Sequence, residues 1–112
     1  MKNLKKILSI ILFFVSTATF AQSDTLMVQT SAECTTCKKK LEKEMPYEKG
    51  VKAVELNLDN KVLMVVFNKE KTNPELIRNA IAKLGYSADS IPANKKAYDR
   101  LPSCCKVDGM KH

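Results

Sequence analysis

Residues 61–67 constrain the fold of this chain more than any other stretch. Leu63, Val65 and Phe67 alternate with Val62, Met64 and Val66, so both faces of the segment are apolar when it is extended. Such a strand belongs in the middle of a sheet, with its second face partly covered. The run before it, 51–58, sets Val54, Leu56 and Leu58 against Glu55 and Asn57, the alternation of a half-buried strand. Asp59-Asn60 between the two is a compact turn signal, so the pair is expected to form a hairpin.

The flanking segments extend this pattern. Residues 24–30 are rich in β-formers and read as a first strand. A helix is expected over 35–45, where Cys37, Leu41 and Met45 recur every four residues as one narrow apolar stripe. Pro46 limits it, Gly50 marks the turn beyond, and Tyr47 is expected to continue the buried surface. Asn73-Pro74-Glu75 combines an N-cap residue, a first-turn proline and an early acid. The helix it opens should bury Leu76, Ile77, Ala80, Ile81 and Leu84 and end at Gly85. Residues 86–91, closed by Pro92, read as a short last strand. The order βαββαβ predicts an α+β, ferredoxin-like sandwich, a four-stranded antiparallel sheet with two helices on one face. About 70 residues can hold a modest core in that form without disulfides.

Two further segments flank this domain, expected at 22–91. Residues 1–21 join a basic start (Lys2, Lys5, Lys6) to an apolar run at 7–15 and the small residues Thr19 and Ala21. That is the pattern of a secretory signal peptide, and its apolar core is short for a membrane anchor. Cleavage near Ala21 would export the chain to the periplasm or beyond and, by removing three lysines, lower its formal charge from +7 to +4. The remaining charges are interspersed and the chain has no Trp, so neither a basic patch nor a stacking platform speaks for nucleic acid. Residues 92–112 form a tail in which 94–101 could make a short helix stopped by Pro102, with Tyr98 and Leu101 docking on the open sheet face.

The chemistry rests on four cysteines. Cys34 and Cys37 are separated by two residues at the junction of the first strand and first helix. There the unpartnered N–H groups and the positive end of the helix dipole should lower both thiol pKa values. Thiolates so placed suit Cu(I), Zn(II), Cd(II) or Hg(II), and equally a redox dithiol. Cys104 and Cys105 are adjacent, and disulfides within either local pair would add little stability or be strained. The tail pair could form a second site, fold back to the first, or form a disulfide to Cys34 or Cys37; Met110 and His112 are weaker candidate ligands.

Cys34-Thr35-Thr36-Cys37 after a first strand, Lys49-Gly50-Val51, and Lys83-Leu84-Gly85-Tyr86 together resemble the heavy-metal-associated domain family over residues 25–91. That family includes copper chaperones, N-terminal modules of metal-pumping ATPases and periplasmic mercury-binding proteins. The resemblance implies a non-enzymatic carrier whose metal ligands are Cys34 and Cys37, with Tyr86 in a loop nearby. It also implies a metal-transporting membrane protein or another metal-binding domain as partner. The chain departs from the family's usual pattern in having Ser31 and Ala32 where glycine and methionine stand, and Gln29 where an apolar residue is common. Glu33, just before Cys34, is a candidate extra ligand or a solvated acid beside a helix N-terminus. Lysines 38–40 could offset a bis-thiolate charge, steer an acidic partner, or simply be a solvated helix face. Cu(I) is the favoured ion and a monomer is expected. Two other classes remain open: a thiol–disulfide oxidoreductase using Cys34 and Cys37, and an interaction module whose cysteines form disulfides. No aromatic residue precedes Cys34 and the element order is not thioredoxin-like, which weighs against the first.

Overall fold

The computed structural model describes residues 22–106. The expected signal peptide, Met110 and His112 lie outside the described residues. Strand β1 (Ser23–Gln29) leads to helix α1 (Thr35–Glu44), which tightens into a 3-10 turn at Met45–Tyr47. Pro46 forces that change, since it cannot donate to a continued helical ladder. Strands β2 (Val51–Asn57) and β3 (Val62–Asn68) form the hairpin, and helix α2 (Pro74–Lys83) follows, capped by Asn73 Oδ1, which accepts the Leu76 N–H at 2.9 Å. Helix α3 (Lys95–Asp99) and a 3-10 turn at Ser103–Cys105 complete the described chain.

The sheet runs β1-β3-β2, antiparallel throughout, so the doubly apolar strand is indeed central. Its Leu63, Val65 and Phe67 are buried together with Val28, Leu56, Cys37, Leu41, Met45, Ile77 and Ile81. Edge strand β2 is tied to α1 by one ion pair: Glu42 accepts from Lys38 Nζ (2.7 Å) and from the Leu56 N–H (2.8 Å), and Lys38 also donates to Leu56 O (2.7 Å). That occupies backbone groups an exposed edge would otherwise offer to another chain.

Residues 86–91 do not form a fourth strand. Ala88 bridges Thr30 and then Ile91. The Ala88 and Ile91 N–H groups each donate to the other's carbonyl at 2.9 Å, closing a tight turn with Asp89 at φ 54°. Backbone groups used within that turn cannot run as a ladder along β1, and Pro92 removes the next donor. Three side chains also differ from expectation: Tyr47 is 86% and Leu76 55% exposed, and Leu58 leaves the strand at its turn end. Tyr47 and Leu58 lie at element ends, where the periodicity that would bury them has ended, and Leu76 lies in the first turn of α2.

The tail packs elsewhere than on the open sheet face. Leu101 and Cys105 are buried in the core with Ile81 and Tyr86, while Met27, Val62 and Met64 still line a shallow open hollow across the sheet. The Asn94 N–H donates to Ala82 O at 2.9 Å, and Asn94 Oδ1 caps α3 through the Ala97 N–H. Gly85 (φ 107°) lets α3 approach so closely that a Cβ there would sit 3.1 Å from the Ala97 backbone. Gly85→Ala should therefore cost on the order of 1–2 kcal/mol from the backbone conformation alone, and should loosen the tail. An unchanged denaturant midpoint would contradict this packing.

Candidate metal centre

Cys34 occupies the N-cap of α1 with extended backbone, and its carbonyl accepts the Lys38 N–H at 3.0 Å. Cys37, one turn on, lies on the stripe that carries Leu41 and Met45 and is fully buried. Helical periodicity thus places one sulfur in the core and the other, half-buried, at the helix mouth, where N–H groups lack helical partners. The loop before them is fixed by short side chains. Thr30 Oγ1 donates to Lys61 O (2.9 Å) and accepts the Ala32 N–H (3.1 Å), and Ser31 Oγ accepts the Ser87 N–H (3.0 Å). Ala32 is buried beneath the loop. Gln29 anchors the neighbouring turn: its N–H donates to Asp89 Oδ1 (2.9 Å) and its carbonyl accepts the Asp89 N–H (2.8 Å). That Gln29 N–H, with Arg78 at 2.8 Å, holds the Asp89 carboxyl below its ordinary range.

The tail brings the other two cysteines to the same point. Cys34 Sγ lies 2.8 Å from Cys104 Sγ, 3.1 Å from Cys37 Sγ and 3.6 Å from Cys105 Sγ. Cys37 and Cys105 are joined as a disulfide, their Cα atoms 5.6 Å apart, while Cys34 and Cys104 are free thiols. Of the arrangements the sequence left open, the structure holds the disulfide from the tail to Cys37, which sets Cys104 beside Cys34. Glu33 is not among the converging groups; its carboxylate lies 3.5 Å from Lys61 Nζ. Nothing in the sequence marks Gly85 as the point where the tail crosses, although Asn94, Tyr98 and Leu101 carry the spacing of a capped, one-sided helix.

For Cys34 the expected lowering of the thiol pKa is reversed. Burial pushes Cys34 up, and the adjacent Cys104 thiol adds to that; the backbone N–H groups of Cys37 and Thr36 favour the thiolate but are outweighed. Cys37, in a disulfide, does not titrate. Tyr86 is fully buried nearby, its hydroxyl without a hydrogen-bond partner among the described residues. Its pKa is pushed up to about 12, chiefly by burial, with Cys34, Cys104 and Glu44 adding to it.

With this geometry in view, the comparisons with known proteins become informative. The family profile described as heavy-metal-associated domain matches residues 31–87, about half of the chain. The chain belongs to the heavy-metal-associated domain family. It is 38% identical over 63 residues to a copper-transporting ATPase of Helicobacter pylori, an alignment covering 56% of this chain and 8% of the ATPase. The chain thus matches only a small part of those curated relatives. Among solved structures, it superposes on the CopZ metallochaperone with a TM-score of 0.55 at 23% identity, covering 58% of this chain and 98% of CopZ. Oxidized MerP from Ralstonia metallidurans CH34 gives 0.56 at 22% identity, covering 60% and 94%. These likenesses establish the ferredoxin-like fold. They reach about 60% of the chain.

Two outcomes follow from the geometry. In a Cys104→Ala chain with the disulfide intact, Cys34 is the one remaining thiol, and its pKa should fall because a neighbouring thiol and its hydrogen bond are gone; thiolate absorbance against pH reads this directly, and an unmoved pKa would refute the coupling. Tyr86→Phe removes a buried hydroxyl that makes no bond, so the metal-free chain should be as stable, or up to about 1 kcal/mol more stable. A marked loss in thermal unfolding would mean that the hydroxyl is satisfied after all.

Proposed function

We propose that this chain is a non-enzymatic carrier of a soft metal ion, bound through Cys34 and Cys37 and passed on by ligand exchange for trafficking or detoxification. The observation that carries this reading is the pair of sulfurs 3.1 Å apart at the N-terminus of α1, in a member of the heavy-metal-associated family. Half-exposure of Cys34 gives an incoming thiol a route to the ion, while buried Cys37 holds the second bond. Ligand exchange can then proceed one thiolate at a time, the ion never losing all its sulfur contacts. Each thiol must give up its proton to bind, so affinity should rise with pH while Cys34 remains protonated.

Cu(I) is the favoured ion, a reading supported by the copper named in the ATPase relatives. Zn(II), Cd(II) and Hg(II) suit the same ligands. The partner is proposed to be a metal-transporting membrane protein or a second metal-binding domain, and the carrier to act as a monomer after export. Residues 1–21 support export by their basic start and apolar run.

A second reading, an exported thiol–disulfide oxidoreductase using Cys34 and Cys37, is favoured by the Cys37–Cys105 disulfide with Cys34 beside it. The Cys34 thiolate could attack Cys37 Sγ and release the Cys105 thiolate, forming a Cys34–Cys37 disulfide with no external oxidant. Anaerobic titration of the reduced chain with Cu(I) and with Zn(II) separates the two. The carrier reading expects tight binding of one ion, lost by at least about tenfold in Cys34→Ser and in Cys37→Ser. Unchanged stoichiometry and affinity in both variants would sink it.

A further inference from the structure

We propose that Cys104 and Cys105 are the third and fourth ligands of a closed, four-thiolate site for a divalent thiophilic ion of the Zn(II) class, and that the Cys37–Cys105 disulfide is its oxidised, unloaded form. This rests on the soft-metal reading of Cys34 and Cys37 and adds to it the tail, which lies beyond the stretch matched by the family profile; with four thiolates in place of two, the ion favoured changes from Cu(I) to a divalent one.

The convergence of sulfurs is built by the fold and does not depend on sulfur contacts alone. Leu101 is buried in the core, Asn94 caps α3 and bonds to the end of α2, and Gly85 admits the α3 backbone at close range. Pro102 then starts the 3-10 turn, whose Cys105 N–H donates to Pro102 O at 2.9 Å, so that both tail sulfurs face α1. The Sγ atoms of Cys34, Cys104 and Cys105 lie within 4.8 Å of one another. Metal–sulfur bonds of about 2.3 Å in a tetrahedron set sulfur–sulfur edges of about 3.8 Å. The separations from Cys34, 2.8, 3.1 and 3.6 Å, each lie within an ångström of that edge. The three edges from Cys34 are thus near those of the cage, and opening the disulfide frees the Cys37–Cys105 edge to widen.

Charge and burial decide which ion suits the closed cage. A divalent ion neutralises two of four thiolate charges and a monovalent ion only one, in a site where Cys37 and Cys105 are already removed from water. Closed four-cysteine sites are characteristic of zinc chemistry. The buried Tyr86 hydroxyl, without a hydrogen-bond partner among the described residues, is an available donor beside this charge. Exposed Cys104 and half-buried Cys34 form the entry side. Loading needs one two-electron step. A dithiol reductant gives two electrons and two protons to the Cys37–Cys105 disulfide, leaving two thiols here and a disulfide on the reductant; metal binding then releases the thiol protons to solvent.

The test uses the full chain, reduced with a dithiol and freed of it anaerobically, then titrated with Co(II) as a spectroscopic probe and with Zn(II). Tetrahedral thiolate absorption from Co(II), and protection of all four cysteines from alkylation by Zn(II), are the expected results. Cys104 is exposed, so Cys104→Ser should keep the fold yet weaken Co(II) binding by about tenfold or more. Omitting the reductant should leave only Cys34 and Cys104 open to alkylation and weaken Co(II) binding to a similar extent. If only Cys34 and Cys37 are protected, with Cys104→Ser binding unchanged, the four-thiolate site is wrong and the two-cysteine carrier stands. If the reduced chain binds neither Co(II), Zn(II) nor Cu(I), both readings fall. Full Co(II) affinity without reduction would overturn the assignment of the disulfide as the unloaded form.

Discussion

The structure depends on a stripe of three fully buried side chains, Cys37 and Leu41 on one face of α1 and Met45 at the start of the 3-10 turn that continues it. The packing of this stripe against Leu56, Leu63 and Val65 fixes the helix on the sheet. Its first member is also a site residue, so the hydrophobic contact that folds the domain is what positions the sulfur. A site built this way inherits the rigidity of a close-packed core. Cys34, on the N-cap, is the more accessible sulfur because the helix begins there.

The tail adds a constraint of another kind. Residues 93–106 bring little regular structure, yet Leu101 and Cys105 enter the same core as the helix stripe. Thiols brought together in this way change one another. Cys34 is shifted towards the protonated form because the crowding that buries it also sets a second thiol beside it. Isolated at a helix mouth, it would feel chiefly the helix N–H groups, which pull in the opposite direction. The chemical character of the pair is therefore set as much by the tail as by the helix.

Local pattern made much of the fold legible. The central position of β3, the hairpin, the Asn73 cap and the stripe on α1 each follow from alternation, spacing or capping within a few residues. Exposed Tyr47 and Leu76 show where such reasoning stops: each is apolar, but Tyr47 lies at the end of its element and Leu76 in the first turn of α2. The fourth strand was unreadable for a related reason. Residues 86–91 have strand-like composition, and only the turn at Asp89, clamped to Gln29 and Arg78, decides that their backbone pairs with itself.

By itself the sequence determined which sulfurs sit at a helix N-terminus, because helix phase and N-cap position are local properties of residues 34–45. It also determined the order of elements as far as α2, and the motifs that mark the family. Tertiary structure alone decided that Cys104 and Cys105 meet Cys34 and Cys37. That meeting joins residues about 70 positions apart, through the glycine crossing at Gly85 and the burial of Leu101. Neither contact leaves a periodic trace in the chain, since each depends on where two separately folded segments come to lie.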